Sequence, residues 1–131
     1  MKVIHASGTR KRAIARATAR AGHGSIKINN LDISHWGTEL LRMKIIEPTI
    51  LAKDVFSKMD VSIKVFGGGL NGQAEAARLA IARAMIQHNP KLKELFANYD
   101  RHLVVADVRQ RETRKPNTAG NARGKTQKSY R

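Results

Sequence analysis

Charge falls in three blocks along this chain, and the blocks limit where a core can form. Residues 1–27 hold seven Lys/Arg and no Asp/Glu, residues 28–108 hold ten against nine, and residues 109–131 hold eight against Glu112 alone. Like charge without a partner repels itself and opposes compaction, so the nearly neutral middle is the natural core-former, and the flanks call for an external polyanion. The total excess is +15 over 131 residues. Arginine's planar fork suits phosphates and base edges, so its frequent use here favours nucleic acid as partner over a purely solubilising role. A chain of this length is one domain's worth and buries roughly two-thirds of its unfolded surface. With its core-formers concentrated in residues 28–108, the isolated protein is expected to be only marginally stable. Cysteine is absent, which removes disulfides, thiolate zinc sites and cysteine nucleophiles and fits a reducing cytosol. No apolar stretch is long enough for a bilayer, so a soluble, cytoplasmic protein without a membrane partner is expected. The Arg- and Ala-rich first twenty residues share the composition of a transit peptide. They run into a turn and strand pattern with no cleavage break, and so read as part of the domain.

Periodicity organises the middle. RKRAIARATARA (10–21) places Ala13, Ala15, Ala17 and Ala19 on one face at period two, with Arg10, Arg12, Arg16 and Arg20 on the other. Gly22-His23-Gly24 is turn chemistry, and SIKIN alternates behind it, so a two-stranded hairpin across that turn is expected. Residues 36–58 show helical spacing, which Glu47-Pro48 should divide into two helices. VSIKVF (61–66) reads as a strand. Residues 71–88 are the strongest helix, closing at Asn89-Pro90. KLKELF adds a short helical turn, and HLVVA (102–106) reads as one more strand. Past Asp107 periodicity stops, so the expected organisation is one globular domain over 1–108 and a basic tail over 109–131. Fully extended, those 23 residues span roughly 75 Å, far beyond the Debye length of about 8 Å that limits a surface patch.

GGGLNG (67–72) has the G-x-G-x-x-G spacing of a dinucleotide turn between strand and helix. The acid that would hold a ribose should end a second strand about 20 residues on, but the helical KLKELF stands there. A P-loop is excluded because Gln73 occupies the position of the required lysine. Gly67, Gly68, Gly69 and Gly72 therefore read as a structural turn allowing positive φ and close helix–sheet approach, with the helix amides left available to a phosphate. Five dispersed histidines give no metal spacing, and the carboxylates and serines give no acid–base or nucleophilic constellation. The expectation is a protein without enzymatic activity, cofactor, metal or small-molecule substrate. The acid-poor ends interleave their cations with Gly, Thr, Ser, Gln, Asn and one Tyr, a composition suited to RNA.

GTRKRAIARA, the run GGGLNGQAEAARLAIARAM (67–85), and ADVRQRE followed by a tail ending QKSYR resemble the family of the universal ninth protein of the small ribosomal subunit. The likeness spans essentially the whole chain, and the Lys-Ser-Tyr-Arg ending resembles the archaeal and eukaryotic form. The resemblance implies an α/β (α+β) body, a mixed sheet backed by helices like the second domain of the fifth small-subunit protein, with a long extended basic C-terminal tail. It implies a structural protein that binds small-subunit rRNA in the head beside neighbouring head proteins. Arg10, Lys11, Arg12, Arg16 and Arg20 match its N-terminal basic motif. Arg109, Arg111, Arg114, Lys115, Arg123 and Lys125 fall along its rRNA-binding tail. Lys128, Ser129, Tyr130 and Arg131 are the implied contacts to the anticodon stem-loop of peptidyl-site tRNA. The chain departs from the family pattern at Arg114-Lys115-Pro116-Asn117-Thr118, where two lysines and a glycine-rich segment are usual. It departs again at Met85 and at Lys125-Thr126, where a basic–aromatic pair is usual.

Overall fold

The computed structural model describes residues 1–125 and 127–130. Five strands form one mixed sheet: β1 (Ile4–Arg10), β2 (Ala13–Ala21), β3 (Ile26–Ile28), β4 (Leu31–Asp32) and β5 (Met59–Phe66), in the order β1-β2-β5-β3-β4. Helices α1 (Glu39–Leu51), α2 (Lys53–Phe56), α3 (Leu70–His88) and α4 (Leu92–Tyr99) complete the α+β body.

Alternation along the strands decides the layering. Ala13, Ala15, Ala17 and Ala19 of β2 and Met59, Val61, Ile63 and Val65 of β5 are buried, while Arg16, Arg20, Ser62 and Lys64 between them are exposed. The buried face receives α3, whose Ala74, Ala76, Ala77, Ala80, Ala82 and Ala84 are also buried. Methyl-sized side chains on both surfaces let the helix axis approach the sheet closely. Gly8 marks the limit of that approach: a methyl group there would sit 2.8 Å from the Ala80 amide nitrogen and overlap the Ala76 carbonyl. The other side of α3 packs on α1, and Ile45, Ile81, Met85, Phe96 and Leu103 fill the interior.

Three sequence expectations change. The strand over 10–21 has its Ala face inside, but its partners are β1 and β5 rather than β3. The Gly22-His23-Gly24 turn does reverse the chain, yet β5 lies between the strands it joins, antiparallel to β2 and parallel to β3. Asp60 of β5 holds this turn, its Oδ1 accepting from the amides of His23 (2.9 Å), Gly24 (3.1 Å) and Ser25 (2.9 Å). Second, Pro48 lies inside α1, and the chain breaks four residues later at Ala52 (φ −129°). An internal proline costs a backbone bond and strains the preceding turn; here its ring is fully buried, and that burial offsets the cost. Third, residues 102–106 are not a strand. The Asp100 carboxylate accepts from the His102 amide (3.0 Å) and starts a 3₁₀ turn over Arg101–Leu103 that buries Leu103. Only Asp107 bridges to the sheet, opposite Arg10.

The glycine run is a strand-to-helix turn, with Gly67 (φ +74°) and Gly68 (φ +62°) in the left-handed region. A side chain at 67 would meet the Arg12 carbonyl oxygen at 2.6 Å. The glycines thus admit the neighbouring β1–β2 turn rather than a pyrophosphate.

Candidate nucleic-acid interface

Cations gather on two surfaces of the body. The first is a groove between the β1–β2 turn, the glycine turn and the start of the C-terminal segment, lined in part by Lys11, Arg12, Gly69, Asn71, Arg111 and Arg114. Lys11 and Arg12 form the two-residue loop of the β1–β2 hairpin, with Lys11 at φ +53°. The helix end in this groove has Gly69 as N-cap with no side-chain cap and no acid in its first turn. Its first amides therefore point outward together with the positive end of the helix dipole. Lys11, Arg12, Arg111 and Arg114 form no ion pair among the described residues.

The second surface is the uncovered face of the sheet. Arg16 stands directly opposite Lys64, and Thr18 opposite His5 and Ser62. The Arg16 guanidinium also lies 5.6 Å from the centroid of the Phe66 ring. Like charges facing across adjacent strands oppose pairing, so an anion laid on this face relieves a cost built into the sheet. Arg20 faces Asp60, but turn amides occupy that carboxylate and hold its pKa down, to about 2. Lys27 of β3 is exposed beside Ser62. Sequence reasoning found Arg16 and Arg20 and missed Lys27 and Lys64; alternation within SIKIN and VSIKVF was the signal for both.

The remaining expected residues divide by partner. Arg10 is turned inward, its Nε donating to Glu75 (2.6 Å) and Nη1 lying 3.4 Å from Asp107. Arg109 pairs with Asp107 (2.6 Å); hydrogen bonds from its guanidinium and amide hold the Asp107 carboxyl far below the usual range. Glu112 accepts from Lys115 (2.7 Å) and Arg123 (2.8 Å), which lowers its pKa and draws residues 112–123 into a loop. Midway along that loop the Thr118 hydroxyl lies between the carbonyls of Lys115 and Asn121. Lys125, Lys128, Ser129 and Tyr130 are exposed, the tyrosine to 90%. Arg131 lies outside the described residues, as does Thr126 of the Lys125-Thr126 departure. Other arginines hold the body together: Arg78 pairs with Glu47 and Asp100, and Arg83 donates to the Ser7 and Val104 carbonyls.

Fold and surface together define a small, basic α+β protein whose cations outnumber their internal partners and collect on one groove, one sheet face and one C-terminal segment. The model of the family described as ribosomal protein S9/S16 matches residues 8–131, and the chain belongs to that family. It is similar to the small ribosomal subunit protein uS9 of Methanothrix thermoacetophila, at 49% identity over 133 residues covering all of both chains. It is also similar to the proteins of that name from Methanococcus maripaludis (45%) and Methanococcus vannielii (44%), again over the full length of each. No helix among the described residues is long and apolar enough to cross a membrane, and no cluster of His, Asp and Glu there could hold a metal ion.

Proposed function

We propose that the protein is a structural constituent of the small ribosomal subunit in the cytoplasm. It binds rRNA in the head beside neighbouring head proteins, and its C-terminal segment extends to peptidyl-site tRNA. The observation that carries this reading is the set of cations without internal anions: Lys11, Arg12, Arg111 and Arg114 around the uncapped α3 terminus, and Arg16 opposite Lys64 on the open sheet. A phosphate backbone supplies the missing charge, and the helix amides add hydrogen bonds to it. The family membership and the name its relatives carry support the same assignment. In the segment beyond Lys125, Lys128 and Arg131 supply the cations for the tRNA backbone, and Ser129 and Tyr130 a hydroxyl and a stacking ring.

The test is reconstitution. Deleting residues 128–131 should leave incorporation into small subunits intact and weaken peptidyl-site tRNA binding. Lost incorporation with unchanged tRNA affinity would refute this division of labour. Failure of the full chain to co-sediment with small subunits would point instead to a free RNA-binding protein. With about 6–10 phosphates neutralised, affinity for naked rRNA should fall steeply with salt, with a log–log slope near −0.7 to −0.9 per contact.

A further inference from the structure

We propose that Arg10, Glu75, Asp107 and Arg109 form a clamp that fixes where the basic C-terminal segment leaves the body, with Arg10 a positioning residue rather than a phosphate ligand. The RNA reading above enters only in naming Arg12 as the neighbour that meets phosphate; the clamp itself does not depend on it.

The clamp joins three parts of the chain far apart in sequence. Arg10 ends β1, Glu75 lies in the second turn of α3, and Asp107 stands where the chain leaves the body. Two nitrogens of one guanidinium take different partners: Nε reaches Glu75 at 2.6 Å and Nη1 reaches Asp107 at 3.4 Å. The same Nη1 lies 3.5 Å from the Arg109 carbonyl. Asp107 in turn accepts from the Arg109 amide (3.0 Å) and guanidinium (2.6–3.0 Å). The backbones at Arg10 and Asp107 form a parallel bridge as well. The side chains of Arg10 and Asp107 are only 15% and 10% exposed, whereas the neighbouring Val108 is 87% exposed. Charges confined in this way orient the chain, because a planar fork held by two carboxylates admits one direction for each. A lysine would keep the charge and lose the bridge. Sequence reasoning grouped Arg10 with Lys11 and Arg12 because they are adjacent; all three border the groove, but the Arg10 guanidinium is engaged by carboxylates and the other two form no ion pair among the described residues.

The absence of cysteine makes the test direct. Cysteines are introduced at Ser62, on the central strand, and Thr113, beyond the clamp, and spin-labelled in the full-length protein. The labels should give one narrow distance in the parent and in Arg12→Gln. That narrow distance should be lost in Asp107→Ala and in Arg10→Lys. In parallel, binding to poly(U), used as a defined polyphosphate, is titrated with salt. Arg12→Gln should lower the slope magnitude by about 0.7, the value of one single-strand phosphate contact, and Arg10→Gln should leave it unchanged. A narrow distance surviving in both clamp variants would overturn the proposal, as would a slope change for Arg10→Gln equal to that of Arg12→Gln. If no variant alters the slope, the polyphosphate reading falls and the distances still decide the clamp. Asp107 lies at the edge of the body, beyond its last helical turn, so its alanine variant gives an answer even if an Arg10 variant unfolds.

Discussion

Residues 1–27 and residues 109–131 carry the same excess positive charge and fix it by different means. In the first block, Arg10 apart, the backbone does the fixing: Arg16 and Arg20 project from a strand paired on both sides, and Lys11 and Arg12 from a closed hairpin loop. Ladder hydrogen bonds hold these cations in register without consuming their charge. The second block has no helix or strand among its described residues, and fixes itself with acids: Asp107 takes Arg109, and Glu112 takes Lys115 and Arg123. The comparison teaches that position and available charge trade against each other in the C-terminal block and at Arg10, but not at Arg16 or Lys64 on the open sheet face. An external polyanion must displace Glu112 to reach Lys115 and Arg123; it need displace nothing to reach Arg16 or Lys64.

The largest expected effect comes from removing one side of the comparison. Truncation after Val108 takes away eight Lys/Arg and should lower the salt-slope magnitude for rRNA by as much as roughly 6, at about 0.7 per lost contact. Unfolding in urea should change by no more than about 1 kcal/mol, because the lost pairs with Glu112 are solvent-exposed and Asp107 keeps Arg10 as its partner. A large loss of stability would mean that the segment is part of the body. The converse change strikes the body alone. Gly8→Val drives a branched side chain into the α3 backbone, and should cost about 3 kcal/mol by overpacking, measured by urea unfolding at constant slope m. Gly67→Ala should cost about 1–3 kcal/mol, the usual penalty for a side chain at positive φ, with added pressure from the Arg12 carbonyl.

Acid titration sharpens the comparison further. Asp60 is held ionised by three turn amides, so its folded pKa lies near 2, below the ordinary 3.8. Its contribution is therefore complete above about pH 4 and is lost as the pH falls toward 2. Asp60→Asn should flatten the stability profile across that window, as followed by circular dichroism; an unchanged profile would show that the turn does not depend on the carboxylate. The smallest effect is expected at Lys64→Gln. It should remove one contact's worth of salt slope, about 0.7–0.9, without lowering stability, because the like-charged pairing with Arg16 disappears. A stability loss there would show that Lys64 has a structural partner.

Local signals made part of this legible from sequence. β5 and α3 declare themselves, one by alternation and the other by a glycine turn, an apolar stripe and Asn89-Pro90. The β1–β2 hairpin does not, because its loop is Lys11-Arg12 and carries none of the usual Gly or Asn. Pro48 misleads, because burial of its ring is a tertiary fact that outweighs the local preference. The strand neighbours across the Gly22 turn were illegible for a related reason: the strand that separates them arrives some forty residues later in the chain. In the interface, charge was visible and partners were not. Arg10 and Arg12 look alike in sequence, and only the fold shows that carboxylates engage the first. Glu112 stands out as the lone acid of its block, but its bond to Arg123 spans eleven residues and could not be inferred from spacing.

The strand order β1-β2-β5-β3-β4 has a consequence for how the molecule comes into being. Until Met59–Phe66 has left the ribosomal tunnel, β2 and β3 each present an unsatisfied edge toward the gap their connecting turn leaves open. The nascent chain can zip its first hairpin early, but the sheet acquires its centre last, after a long loop has been closed at an entropic cost. During that interval the open gap invites foreign strands, and the arginines along β2 are the residues best suited to keep them out by repulsion.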